Sequence, residues 1–338
     1  MSIEIVLHPK NANRDQLRRL LEQRGYHVAE HFWEWPKGSL NYHWFDHKDY
    51  RSYDGVEATI YPPNDANQLK KLGQCKWALH TRTRLSASPA DQEEQNETIR
   101  AARRTFGGNF YNDWHGNNRY TPIEDDSRDA PARGIYLAYE FVTHNIEAVR
   151  YALPEPNEGL EKLVGTKHEA LATTDPTRVV YNALTPFAVA ALEHFFSQCF
   201  KILLRYDRAA RKHLEKQTRK VDLADVLAIE TGDKAVEDII ADWYSFQNMA
   251  SIHNAFSEWF GIDFWKLLRQ RKKVGKRIFF LENRLNQLIQ FRHGVVHRLS
   301  IDVEMRKQQI QELLDLVLAV INIFVDYLEK KNGKHIRD

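Results

Sequence analysis

The pattern of apolar and polar positions changes character about half-way along the chain. Up to residue 152, short apolar runs alternate with polar ones; from Leu184 onward apolar residues recur at steps of three and four. The first texture predicts strands mixed with helices, the second a set of packed helices. Ile3–Leu7 predicts a strand, and Arg14–Gln23 a helix with Leu17, Leu20 and Leu21 on one face. Tyr26–Trp35, Leu40–Phe45 and Gly55–Tyr61 are strand candidates, rich in aromatic or β-branched residues. In Lys76–Leu85, Trp77, Leu79, Thr81, Thr83 and Leu85 share one face, and Ala78, His80, Arg82 and Arg84 share the other. Ser88, Pro89 and Asp91 then spell a helix start: N-cap, first helical residue and capping-box partner. That helix should end near Arg104, before Gly107-Gly108. Asn109–Tyr120 lacks apolar periodicity and reads as a loop. Ile135–Val142 reads as a strand, and Ile146–Tyr151 as the start of a short helix.

Residues 153–180 are punctuated by Pro154, Pro156, Gly159, Gly165 and Pro176 and read as a linker, with a helical piece around Gly159–Val164. Beyond it, Pro186 suits a first helical turn. Helices are predicted over Phe187–Tyr206, Leu223–Ile229, Ala235–Asn248, Ile252–Trp259, Arg277–Phe291 and Val303–Lys331. In the last, Asp315, Ala319, Asn322 and Asp326 form a narrow stripe on an otherwise apolar surface. The expected fold class is α+β: a mixed N-terminal domain (1–152), a linker (153–180) and an all-α domain (181–332).

Composition narrows the class further. Lys+Arg number 48 and Asp+Glu 46, a formal net charge of +2. The two cysteines, Cys75 and Cys199, form no CxxC and no disulfide framework, which points to a reducing, cytoplasmic setting. No leader pattern is seen at Met1-Ser2-Ile3-Glu4. The most apolar stretch, Leu313–Leu328, is broken by Asp315, Asn322 and Asp326, so no membrane span is expected.

The sharpest chemical signal is Phe291-Arg292-His293-Gly294-Val295-Val296-His297-Arg298, between an amphipathic helix and a long final one. An all-α domain with Arg-x4-His and a polar residue directly after the Arg resembles the HEPN superfamily, over roughly residues 182–331. Ala191-Leu192-Glu193-His194-Phe195-Phe196 is similar to a first HEPN helix. The resemblance implies a metal-independent ribonuclease working as a dimer, without a cofactor, in the setting of a toxin or an anti-phage effector with a trigger or antitoxin partner.

The residue chemistry supports that implication separately. Cleaving RNA without a metal needs a base for the 2′-hydroxyl, an acid for the leaving 5′-oxygen and positive charge at the phosphorane. Histidine suits the proton steps and arginine the phosphate. His297 is then the acid/base, Arg292 the phosphate clamp and His293 a further polar group. On a continuous helix Arg292 and His297 lie about 140° apart. Gly294 permits a bend or a helix end between them, and two motifs facing across a two-fold axis would supply separate acid and base histidines. A composite site at a homodimer interface is expected.

Charge points the same way. Residues 261–300 hold ten Lys or Arg against Asp263 and Glu282, a footprint for phosphate. Arg271, Lys272, Lys273, Lys276, Arg277 and Arg298 are the candidate RNA contacts. Trp259, Phe260, Phe264 and Trp265 lie beside them, as core residues or as base-stacking platforms.

Plainer readings stand beside these. Arg292 and His297 could cap a helix end, and the basic run could be a solvated loop. Glu193 could orient the site or sit at a dimer contact. A catalytically silent RNA- or nucleotide-binding module is the alternative function. A metal site is not expected: His293 and His297 lack a third ligand nearby, and His27/His31 and His43/His47 fall in strands, where residues four apart are about 13 Å distant. Gly275-Lys276 does not fit a phosphate-binding P-loop. In the N-terminal half, His80, Arg82 and Arg84 are candidates for a cationic strand face that senses an anionic ligand; Arg100, Arg103 and Arg104 follow on the next helix, and Asn109–Tyr120 could be a recognition loop. The plainer reading is a packed edge strand paired with Asp or Glu.

Overall fold

The structure, a computed structural model, describes residues 1–30, 35–162, 175–274, 277–298 and 301–337. The chain divides into two compact units, Met1–Arg133 and Gly134–Asp338. The division falls ahead of the expected boundary at 152 because residues 135–142 are not a strand. They lie within a helix over Ala130–Ala152, in which Ala132, Ile135, Ala138, Val142 and Ile146 are the buried positions. Those steps of three and four are helical, and they override the strand preference of the local Ile, Tyr and Phe residues.

The N-terminal unit is an antiparallel sheet backed by helices. Strands β1 (Ser2–His8), β2 (His27–Val28), β3 (Leu40–Trp44), β4 (Val56–Tyr61), β5 (Ala78–Arg84), β6 (Asn109–Asn112) and β7 (Gly116–Asn117) lie in the order β2-β3-β4-β5-β1-β6-β7. The expected alternation in β5 is present: Leu79, Thr81 and Thr83 are buried on one face, and His80, Arg82 and Arg84 take the other. Ile5, Leu7, Ala58, Ile60 and Leu79 join Leu17 and Leu21 of α1 (Arg14–Gln23) in the core. Ile99, Ala102 and Phe106 of the helix Pro89–Phe106 complete it. That helix starts as its sequence predicts, since the Ser88 hydroxyl accepts from the Asp91 N–H and the Asp91 carboxylate accepts from the Ser88 N–H. Asp91 also accepts from the N–H groups of Tyr53 and Asp54, a link invisible in the sequence.

Two N-terminal expectations are corrected, and one helix is added. Of the segment expected as a strand over 26–35, the described residues pair as a strand at His27–Val28, and residues 31–34 lie outside the described residues. Ala66–Leu72 forms an unforeseen helix, capped by Asp65. Asn109–Tyr120 is no free loop: Phe110 is buried opposite Leu7, and Tyr111 pairs with Asn117. Gly108 sets up this edge. Its φ is +107°, and a Cβ there would meet the His8 carbonyl oxygen at 2.1 Å.

The C-terminal unit is helical. Its central helix, Thr185–Tyr206, has Pro186 in the first turn and packs against helices Leu281–Arg298 and Lys307–Asn332. Phe196 meets Phe256, Phe264 and Phe324 edge-on, with ring centroids 5.0–6.0 Å apart, a favoured aromatic geometry. Trp259 and Phe264 are therefore core residues, not base-stacking platforms. The stripe on the last helix receives polar partners: Asp315 bonds Arg150, Asn322 bonds Tyr139 and Arg337, and Asp326 bonds Arg337.

Within the span expected as linker, Glu158–Glu161 and Pro176–Ala183 are helical; residues 163–174 lie outside the described residues. The helix expected over 235–248 is only Val236–Ala241, and the one expected from Arg277 begins at Leu281. Arg271–Val274 and Arg277–Phe280 instead pair as strands, as Ile278, Phe279 and Phe280 favour. Pro176–Tyr206, more than Leu313–Leu328, has the length and apolarity to cross a membrane, but 56% of its apolar window is buried inside the protein.

Candidate functional site

Helix Leu281–Arg298 runs unbroken through Gly294. The bend or helix end that Gly294 permits is not used, so the helix phase sets the site. Leu281, Leu285 and Leu288 are buried on the inward face. Arg292 follows Leu288 by four residues on that same face and is half-buried. His293, His297 and Arg298 are exposed. His293 and His297, one turn apart, bring their ring centroids to 4.4 Å. Arg292 and His297 therefore do not converge within one chain: five residues of α-helix leave them about 140° apart. None of Arg292, His293 and His297 has a hydrogen bond or ion pair among the described residues, so the capping and ion-pair explanation for them has no partner there.

The basic candidates divide. Arg271 and Lys272 are exposed on the first of the two strands ahead of the motif helix, with the Arg271 guanidinium 4.7 Å from the Phe280 ring centroid. Lys273 and Arg277 lie on the two paired strands, and Lys276 lies outside the described residues. Arg269 is drawn off by Glu282 at 3.2 Å. Glu193 is half-buried on the central helix, and its neighbour His194 packs on Phe141 with ring centroids 4.6 Å apart. Burial, then the charge of Lys201, lowers the His194 pKa.

Sequence reasoning missed two residues that shape this end of the unit. Arg178, fully buried, donates to the carbonyls of Val303 and Met305 and faces buried Asp175. The Asn182 amide donates to the Asp302 carbonyl, and its oxygen accepts from the Asp302 N–H. Together they clasp residues 302–305, which follow the motif helix in the chain. The linker signals over 153–180 hid this; Asp175-Pro176, a helix-start pair, was the legible clue.

In the N-terminal unit, His80, Arg82 and Arg84 line one cavity of about 870 Å³ on the sheet face away from the core. Of the two readings of this face, the one paired with Asp or Glu is realised, not the cationic one. Arg82 is bracketed by Glu57 at 3.1 Å and Glu4 at 3.8 Å, Arg84 meets Asp54 at 3.4 Å, and His80 bonds Glu4 at 3.2 Å. The register explains this: Glu4 and Glu57 both lie directly opposite Arg82 on the neighbouring strands. Among the described residues no three His, Cys, Asp or Glu side chains are grouped to hold a metal, and His31 lies outside them.

A family model described as RiboL-PSP-HEPN matches residues 160–330, half of the chain, and takes in the central helix, the motif helix and the last helix. Neither a curated protein nor a solved structure matches the chain, and the N-terminal half has no family match. With its motif carried on the penultimate helix of a helical unit, the chain belongs to the RiboL-PSP-HEPN family, a membership that points to cleaving or binding RNA.

Proposed function

We propose that the chain is a metal-independent endoribonuclease that works as a homodimer in the cytoplasm, as a toxin or defence effector. The observation that carries the reading is the placement of His293 and His297. They share one exposed helix face with no other polar partner among the described residues, and Arg292 lies one position away.

The chemistry sets the rest. The 2′-oxygen attacks phosphorus, the O2′–P bond forms and the P–O5′ bond breaks. A histidine removes the 2′ proton, and a protonated imidazole delivers one to the 5′-oxygen. Attack and departure lie on opposite sides of phosphorus. Two neighbouring rings on one helix face approach from one side only. A second copy supplies the opposite group, the partner's His297, and brings an Arg292 toward the developing charge on the non-bridging oxygens. Arg271 and Lys272 on the strand and Arg298 at the end of the motif helix extend the phosphate contact.

End-mapping of RNA cut by the purified protein in EDTA tests this: 5′-hydroxyl and 2′,3′-cyclic phosphate ends are expected, and 5′-phosphate ends would sink it. Sedimentation gives the second arm. A monomer that binds RNA without cutting it would favour the binding-module reading, because Arg292 and His297 diverge within one chain.

A further inference from the structure

The cavity on the N-terminal sheet stands apart from the ribonuclease reading and is not explained by it. Its volume of about 870 Å³ falls in the range of small-molecule sites. Its wall is aromatic at two places. Trp35 lies against Tyr61 and His80 with ring centroids 5.0 and 5.2 Å away, and Phe45 lies 4.6 Å from His47. Four carboxylates, Glu4, Glu30, Asp54 and Glu57, line it against the two guanidiniums of Arg82 and Arg84, together with the imidazoles of His27, His43, His47 and His80. Those guanidiniums are already engaged by Glu57, Glu4 and Asp54. A phosphate would meet more carboxylates than cations here. A positive group would meet Glu30, which has no ion-pair or hydrogen-bond partner among the described residues, beside the paired carboxylates and the faces of aromatic rings, and both attract cations.

We propose that this cavity binds a small organic cation, an amine or guanidine carried on an apolar or aromatic frame. Exposed Glu30 supplies the carboxylate at the rim, Glu57 shares its carboxylate between Arg82 and the ligand toward the middle of the sheet, and Trp35 and Phe45 pack the frame.

Calorimetric titration of the full chain with agmatine and with tryptamine tests this, with AMP and inorganic phosphate as anionic probes. The expected result is saturable one-to-one binding of an amine and none of the anions. Binding should weaken at least about tenfold in Glu57→Gln and in Trp35→Ala. Glu30→Gln, an exposed rim change that leaves the fold intact, should weaken it by a smaller factor and decides the matter if the other variants misfold by circular dichroism. No binding of either amine, amine binding unchanged in the folded variants, or AMP or phosphate binding weakened by these changes would overturn the proposal.

Discussion

His293 and His297 set their imidazole ring centroids 4.4 Å apart on one face of the motif helix. The helix continues through Gly294, so this pairing is a direct consequence of its turn, with residues four apart meeting on one face. The same turn sends Arg292 to the side where Leu285 and Leu288 are buried. One chain thus presents a histidine pair and an arginine in different directions, which is why the ribonuclease reading requires two copies.

His293→Ala leaves His297 without its ring neighbour but leaves the two motif residues in place. Cleavage should fall by about tenfold, much less than for loss of His297, if His293 only positions the ring. A fall as deep as that of His297→Ala, in single-turnover assays, would make His293 a proton-transfer group in its own right.

Arg178→Ala removes one member of a buried charge pair and the donor to Val303 and Met305. A cost of about 3–5 kcal/mol is expected from the uncompensated Asp175. Asn182→Ala should cost less, about 1–3 kcal/mol. Both should lower cleavage by loosening the segment after the motif helix, and urea unfolding of each variant reads the stability term. Unchanged midpoints would contradict the clasp.

Asp91→Ala strips a capping box and leaves the N–H groups of Tyr53 and Asp54 without their acceptor. A loss of about 2–4 kcal/mol from the N-terminal unit is expected. The Ser88–Asp91 spacing made the cap legible from the sequence, but nothing there placed residues 53 and 54 beside it. The same division holds elsewhere. Lys76–Leu85 could be read because its two faces differ sharply in chemistry. Residues 135–142 could not, because aromatic and β-branched residues sit there at helical spacing. The motif itself was legible residue by residue. Its divergence was legible only on condition that the helix continues, which the sequence left open because Gly294 permits a break as readily as it tolerates a helix. The choice between a cationic face and one paired with Asp or Glu was not legible, because β5 alone shows its arginines, and the carboxylates that pair with them arrive from β1 and β4 and from Asp54.

Hydrogen bonding from His80 holds the Glu4 carboxyl down at about 2, against partial burial, with help from Ser2 and Arg82. A depressed carboxyl stabilises the fold above its unfolded-state value, and that contribution fades as pH falls from about 4.5 through about 2. The denaturant midpoint of the wild type should therefore drop more steeply over this window than that of Glu4→Gln. Parallel acid limbs would contradict the assignment.

The most direct test of the central claim is cleavage of a mixed RNA pool in EDTA by wild type, Arg292→Ala and His297→Ala. Both residues are solvent-accessible to some degree, so the variants should fold. The account predicts cutting by the wild type and a loss of at least about 10²-fold in each variant. Equal cutting by all three, or wild-type cutting abolished by EDTA, would contradict it.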